Sequence, residues 1–133
     1  MKKRLLMGLS ALIAMPAFSQ VVVNEDVECT TKGTSIVGKR HTCDSSETYN
    51  APSGYFITKQ PAPSFQIASS NGADNRCNYE LGGYKNIGFG IEVPTSIIIK
   101  AHAKSPGGIA TGRGWTRCNF SYNYRVIPDL SGF

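Results

Sequence analysis

Residues 115–126 read Trp-Thr-Arg-Cys-Asn-Phe-Ser-Tyr-Asn-Tyr-Arg-Val, and the alternation within them decides the fold. Cys118, Phe120, Tyr122, Tyr124 and Val126 share one parity, and Asn119, Ser121, Asn123 and Arg125 the other. Successive side chains of an extended strand point to opposite faces, so the segment is a half-buried β-strand with its cysteine and aromatics turned inward. Residues 96–103, Ser-Ile-Ile-Ile-Lys-Ala-His-Ala, repeat the pattern. Ile97, Ile99, Ala101 and Ala103 should face the core, and Ile98, Lys100, His102 and Lys104 should face out. The two segments are expected to pair as an antiparallel hairpin closed by Ser105–Gly114. Pro106 and the glycines at 107, 108, 112 and 114 make that connection longer and more mobile than a tight turn.

Working outward, the chain offers further short runs rich in β-branched and aromatic residues. They are Val21–Val23, Val27–Thr31, Lys39–Cys43, Gly54–Lys59, Ser64–Ala68, Cys77–Leu81 and Tyr84–Phe89. Turn-forming residues separate them at Lys32-Gly33-Thr34, Ala51–Gly54, Gln60–Pro63, Asn71-Gly72 and Gly82-Gly83. Beyond residue 19 no window carries apolar residues at helical spacing over three turns. The expectation is an all-β fold: a small, disulfide-linked antiparallel β-sandwich or partly open barrel. A single domain should span residues 20–133, with its core in 21–127 and a loose tail at 128–133.

The N-terminus reads as an export signal. Lys2, Lys3 and Arg4 precede an apolar run from Leu5 to Ala14, then Pro16 and Ala17-Phe18-Ser19. A charged start, a short apolar stretch and small residues at Ala17 and Ser19 match a cleavable signal peptide over residues 1–19, leaving Gln20 first. The run is too short and too broken for a spanning helix, which needs roughly 20 apolar residues. The first cysteine, Cys29, is too far from the cleavage site for a lipid anchor. Three of the fourteen Lys and Arg belong to this leader, so the mature chain has eleven bases against nine acids. The basic balance of the whole chain is therefore no argument for nucleic-acid binding.

All four cysteines, at 29, 43, 77 and 118, lie beyond the leader. An even count in an exported domain implies two disulfides. Their wide spacing, with no C-x-x-C and no Cys/His cluster, argues against a zinc site or a redox motif. Of three connectivities, Cys29–Cys43 with Cys77–Cys118 is preferred, because it clasps a local hairpin and then joins two core strands. The expected location is periplasmic or secreted, without a membrane span.

Catalytic signals are sparse. Gly107–Gly114 has the glycine spacing of a phosphate loop, but Arg113 and Gly114 stand where Lys and Ser or Thr belong, and no helix follows. Ser105, His102 and Asp74 or Asp129 could be written as a triad, yet no G-x-S-x-G elbow is present. Glu25, Asp26 and Glu28 read as a solvated face, and the sequon Asn119-Phe120-Ser121 as chance. No enzyme, cofactor or metal is expected. The one candidate binding surface combines Lys100, His102 and Lys104 with Arg113, Trp115, Arg117, Asn119 and Arg125; Lys39, Arg40 and His41 form another basic triplet. Cations beside an exposed Trp and amides suit a glycan, an anionic envelope component or an extracytoplasmic protein. The leading expectation is a non-catalytic exported binding protein. The alternatives are an inhibitor or immunity-type protein against a secreted enzyme or toxin, and a small secreted hydrolase or toxin.

Overall fold

The structure is a computed structural model that describes residues 20–130. The proposed signal peptide, residues 1–19, lies outside the described residues, as do tail residues 131–133. The elements in chain order are β1 (Gln20–Thr30), β2 (Thr42–Asn50), β3 (Tyr55–Ile57), β4 (Ser64–Asn71), β5 (Ala73–Gly82), β6 (Lys85–Gly88), β7 (Ile91–Val93), β8 (Ser96–Lys104) and β9 (Trp115–Val126). No helix occurs among the described residues.

Two antiparallel sheets face each other. In the first, β9 is central, with β1 on one side and β3 and β4 on the other. In the second, β8 is central between β2 and β5. A small β6–β7 ribbon stands apart. The parity expected for both central strands holds: Ile97, Ile99, Ala101 and Ala103 meet Cys118, Phe120, Tyr122 and Tyr124 in one buried cluster. Val23, Val27 and Cys29 of β1 and Ile57 of β3 complete it.

The expected β8–β9 hairpin does not form. The two strands are the centres of opposite sheets. The physical reason is their matched apolar faces. Pairing edge to edge would leave both faces needing a cover, whereas stacking them lets each bury the other. Ser105–Gly114 is therefore a crossing between sheets.

That crossing is tied down rather than free. Its first residue, Ser105, is fully buried, and its hydroxyl lies 2.7 Å from Thr34 Oγ1 and accepts from the His41 amide at 2.9 Å. The Ser105 amide donates to His41 O (2.8 Å), and Arg40 Nε donates to Ser105 O (2.9 Å). At its other end, Gly114 N donates to Thr31 Oγ1 (2.9 Å) and Thr31 N to Gly114 O (2.8 Å). These bonds join residues 31–41 and 105–114 into one end of the sandwich.

Both disulfides have the preferred connectivity, Cys29–Cys43 and Cys77–Cys118. Their roles differ from the expectation in one respect. Cys29 is on β1 and Cys43 on β2, in different sheets, so this bridge is no local hairpin clasp. Each disulfide staples one sheet to the other. Closing the two loops contributes about 3 and about 4 kcal/mol by chain entropy.

Other boundaries shifted. The run expected at Lys39–Cys43 becomes β2 at Thr42–Asn50, a largely exposed edge strand, and β7 was not anticipated. Val21–Val23 and Val27–Thr31 fuse into β1. At the corner between β4 and β5 the chain changes sheet through Gly72, at φ +93°. A Cβ there would stand 2.3 Å from Lys104 O, so only glycine fits both the conformation and the space. In the tail, Leu130 lies beside Gly88 of β6.

Candidate functional site

The sandwich has two outward sheet faces, and the expected binding residues divide between them. Lys100, His102 and Lys104 lie on the outer side of the β2-β8-β5 sheet. Trp115, Arg117, Asn119 and Arg125 lie on the outer side of the β1-β9-β4 sheet, with Arg125 at the far end beside β3. Arg113 is exposed on the crossing, where its carbonyl accepts from Asn71 Nδ2 at 2.8 Å. The eight residues do not form one surface. The single face required the β8–β9 pairing that the topology replaces.

On the β8 face Lys100 and His102 are matched by acids. Lys100 Nζ lies 3.0 Å from Glu80 Oε1 on β5. His102 is wedged between two carboxylates, with Nδ1 2.7 Å from Asp44 Oδ1 and Nε2 3.1 Å from Asp74 Oδ2. Asp74 also accepts from Arg76. It reaches this position through a bulge in β5 between Ala73 and Arg76, with Asp74 itself at φ 53°. The neighbouring Asn75, with its amide nitrogen turned toward them, donates to Trp115 O (3.1 Å) and Thr116 Oγ1 (2.7 Å). The bulge is thus tied to the start of β9 in the other sheet.

The triad written from the sequence is not assembled. The Ser105 hydroxyl is engaged by Thr34 and the His41 amide, and both nitrogens of His102 face carboxylates. A histidine acting as base needs one nitrogen directed at the nucleophile. No cluster of three or more metal-ligating side chains suited to a metal ion occurs among the described residues.

On the β9 face lies an open trough of about 780 Å³. Asn24 and Asp26 come from β1, Arg117, Asn119 and Ser121 from β9, and Ser64 and Gln66 from β4. Arg117 Nη2 is 3.3 Å from Asp26 Oδ2, a pair that spans the trough floor between β9 and β1. Trp115 stands on the same face two residues before Arg117, whereas the Phe65 ring turns inward onto Phe120. The sequence reading named Trp115, Arg117 and Asn119 here and missed Asn24, Gln66 and Ser121. Continuing the β1 alternation from Val21 and Val23 to Val27 and Cys29 would have put Asn24 and Asp26 on this face.

A second depression of about 630 Å³ runs from Phe65 and Ile67 across Arg76 and Asn78 to Lys100 and His102. Phe65 and Ile67 oppose Phe120 and Cys118 in register, on the inward parity. They remain exposed because β4 overhangs the sandwich edge, where Phe65 packs against Phe120 and Tyr79.

The fold and these faces define a small all-β protein, stapled across its two sheets by disulfides and carrying a polar trough on one of them. No protein-family model, curated protein or solved structure matches the chain.

Proposed function

We propose that the protein is a non-catalytic binding protein acting outside the cytoplasm, and that it recognises a glycan on the outer face of the β1-β9-β4 sheet. The observation that carries this reading is the lining of the trough. Amides, hydroxyls and one Arg–Asp pair share a solvent-open floor, and Trp115 stands on the same outer face two residues before Arg117. Such groups match the alternating donors and acceptors of sugar hydroxyls, and an aromatic edge suits the apolar face of a sugar ring. Two disulfides are compatible with an oxidising compartment. The opposite face is a weaker candidate because Lys100 and His102 on it already have carboxylate partners.

Screening the purified protein on immobilised envelope and cell-surface glycans tests the reading. Asn119→Ala combined with Arg117→Ala should weaken retention about tenfold, the loss of one or two hydrogen bonds, one of them charged. Lys100→Glu, on the opposite face, should leave retention unchanged. Retention that depends on Lys100 and not on Arg117, or no retention by any glycan, overturns the proposal.

A further inference from the structure

The sandwich end built from residues 31–41 and 105–114 carries an apolar tip that the fold does not use. Ser35, Ile36, Val37 and Gly38 form a tight turn, with Gly38 N donating to Ser35 O at 3.0 Å and Gly38 at φ +83°. The Ser35 amide donates to Lys39 O (2.9 Å), closing the base. Turn centres favour Gly, Pro, Asn, Asp and Ser, each for a backbone reason. Ile36 and Val37 supply none of these reasons and bury almost nothing, at 78% and 82% exposed. Ile109, 69% exposed, projects from the neighbouring crossing. The two segments are held together there: Ala110 N donates to Ser35 O at 2.9 Å.

Charge around the tip has one sign. Residues 31–43 and 104–118 contain Lys32, Lys39, Arg40, Lys104, Arg113 and Arg117, and no Asp or Glu. Lys32, Lys39 and Arg113 are exposed and have no carboxylate partner among the described residues. The acids nearest in sequence are Glu28 on β1, opposite Arg117 in register, and Asp44 on β2, which is engaged by His102.

We propose that this end docks on the surface of an anionic phospholipid bilayer, with Ile36, Val37 and Ile109 entering the interfacial region and Lys32, Lys39 and Arg113 meeting the headgroups. Peripheral attachment strengthens with inserted apolar area and with cations near an anionic surface. A convex tip of three aliphatic side chains also fits lipid better than a protein partner. Protein interfaces concentrate their energy in Trp, Tyr and Arg set in a broad, well-packed patch. The anchoring bonds of Ser105, Thr31 and Gly114, with Cys29–Cys43 at the base, hold the tip in place without help from the bilayer. This surface is separate from the glycan trough, and its test is independent of that reading.

The experiment is co-sedimentation of the disulfide-bonded protein with phosphatidylcholine vesicles, with and without phosphatidylglycerol. Binding should appear with phosphatidylglycerol and weaken as salt rises. Ile36→Ser, Val37→Ser and Ile109→Ser together should lower the partition coefficient at least about tenfold, because most of the inserted area is gone. Lys39→Glu with Arg113→Glu should abolish the preference for the anionic vesicles. Phe89→Ser, an equally exposed apolar change on the β6–β7 ribbon, should leave binding unaltered. Wild-type protein that ignores the anionic vesicles, or a triple serine variant that is folded and binds as well as wild type, overturns the proposal. If the triple variant does not fold, the charge-reversed protein decides: undiminished preference for anionic vesicles overturns the proposal.

Discussion

Replacing Cys77 and Cys118 together by alanine removes a staple between β5 at the edge of one sheet and β9 at the centre of the other. The two cysteines are 41 residues apart, and the entropic penalty of closing that loop in the unfolded state is about 4 kcal/mol. The same reasoning applied to Cys29 and Cys43, 14 residues apart, yields about 3 kcal/mol. Cys118 is fully buried, so truncation there adds a cavity term to the first loss. A domain of this size has about 5–15 kcal/mol in total, and either loss is a large part of it. Urea unfolding followed by the fluorescence of Trp115, the sole tryptophan, measures both. At an m-value of about 2 kcal/mol per M, the Cys77/Cys118 variant should unfold about 2 M earlier, and the Cys29/Cys43 variant somewhat less early. Midpoints that move by less than about 0.5 M would show that neither bridge restrains the unfolded chain as this loop-entropy account requires. A larger loss at Cys29/Cys43 would refute the ranking by loop length.

Gly72→Ala should destabilise the fold by more than about 1 kcal/mol, because the new Cβ meets Lys104 O and the residue must keep a positive φ; thermal melting reads the change. His102→Gln should cost no more than about 1 kcal/mol despite its two carboxylate neighbours, since Asp44 and Asp74 are largely solvent-exposed and exposed pairs contribute little. A loss of several kcal/mol in urea would mean that the bridge across β2, β8 and β5 is structural.

The face of each central strand was legible because alternation is a local property. Ile97 to Ala103 and Cys118 to Tyr124 announce their buried side without reference to anything else in the chain. The Cys77–Cys118 pairing was legible for a related reason, since Cys118 shares the aromatic parity, whereas Cys29–Cys43 joins two sheets rather than clasping the local hairpin expected. The edge strands were harder to read. In β2, Asp44 to Thr48 offer no apolar alternation, and the strand exists because β8 supplies its hydrogen-bond partners. In β1, Glu25 sits on the inward parity between Val23 and Val27 and split one strand into two.

Parity names the outward side of a strand but not the direction in which that side points in the finished molecule. Lys100 and Arg117 are both outward, yet β8 and β9 stack face to face, so their outer sides look opposite ways. That assignment depends on which strands share hydrogen bonds, a non-local matter decided by the balance between edge pairing and burial of apolar faces. The same limit hid the polar anchors. Thr34 and Ser105 look like ordinary loop residues in the sequence, and their burial follows only from two distant segments meeting at one end of the sandwich. Where those segments meet, their polar residues are spent on each other, and the apolar Ile36, Val37 and Ile109 are left outside. An aliphatic tip held by buried hydroxyls and backbone amides reverses the usual arrangement of a loop, and a fold-stabilising role does not account for it. The proposed bilayer contact would give these three side chains a use the fold does not, and the serine substitutions above separate it from the trough on the β9 face.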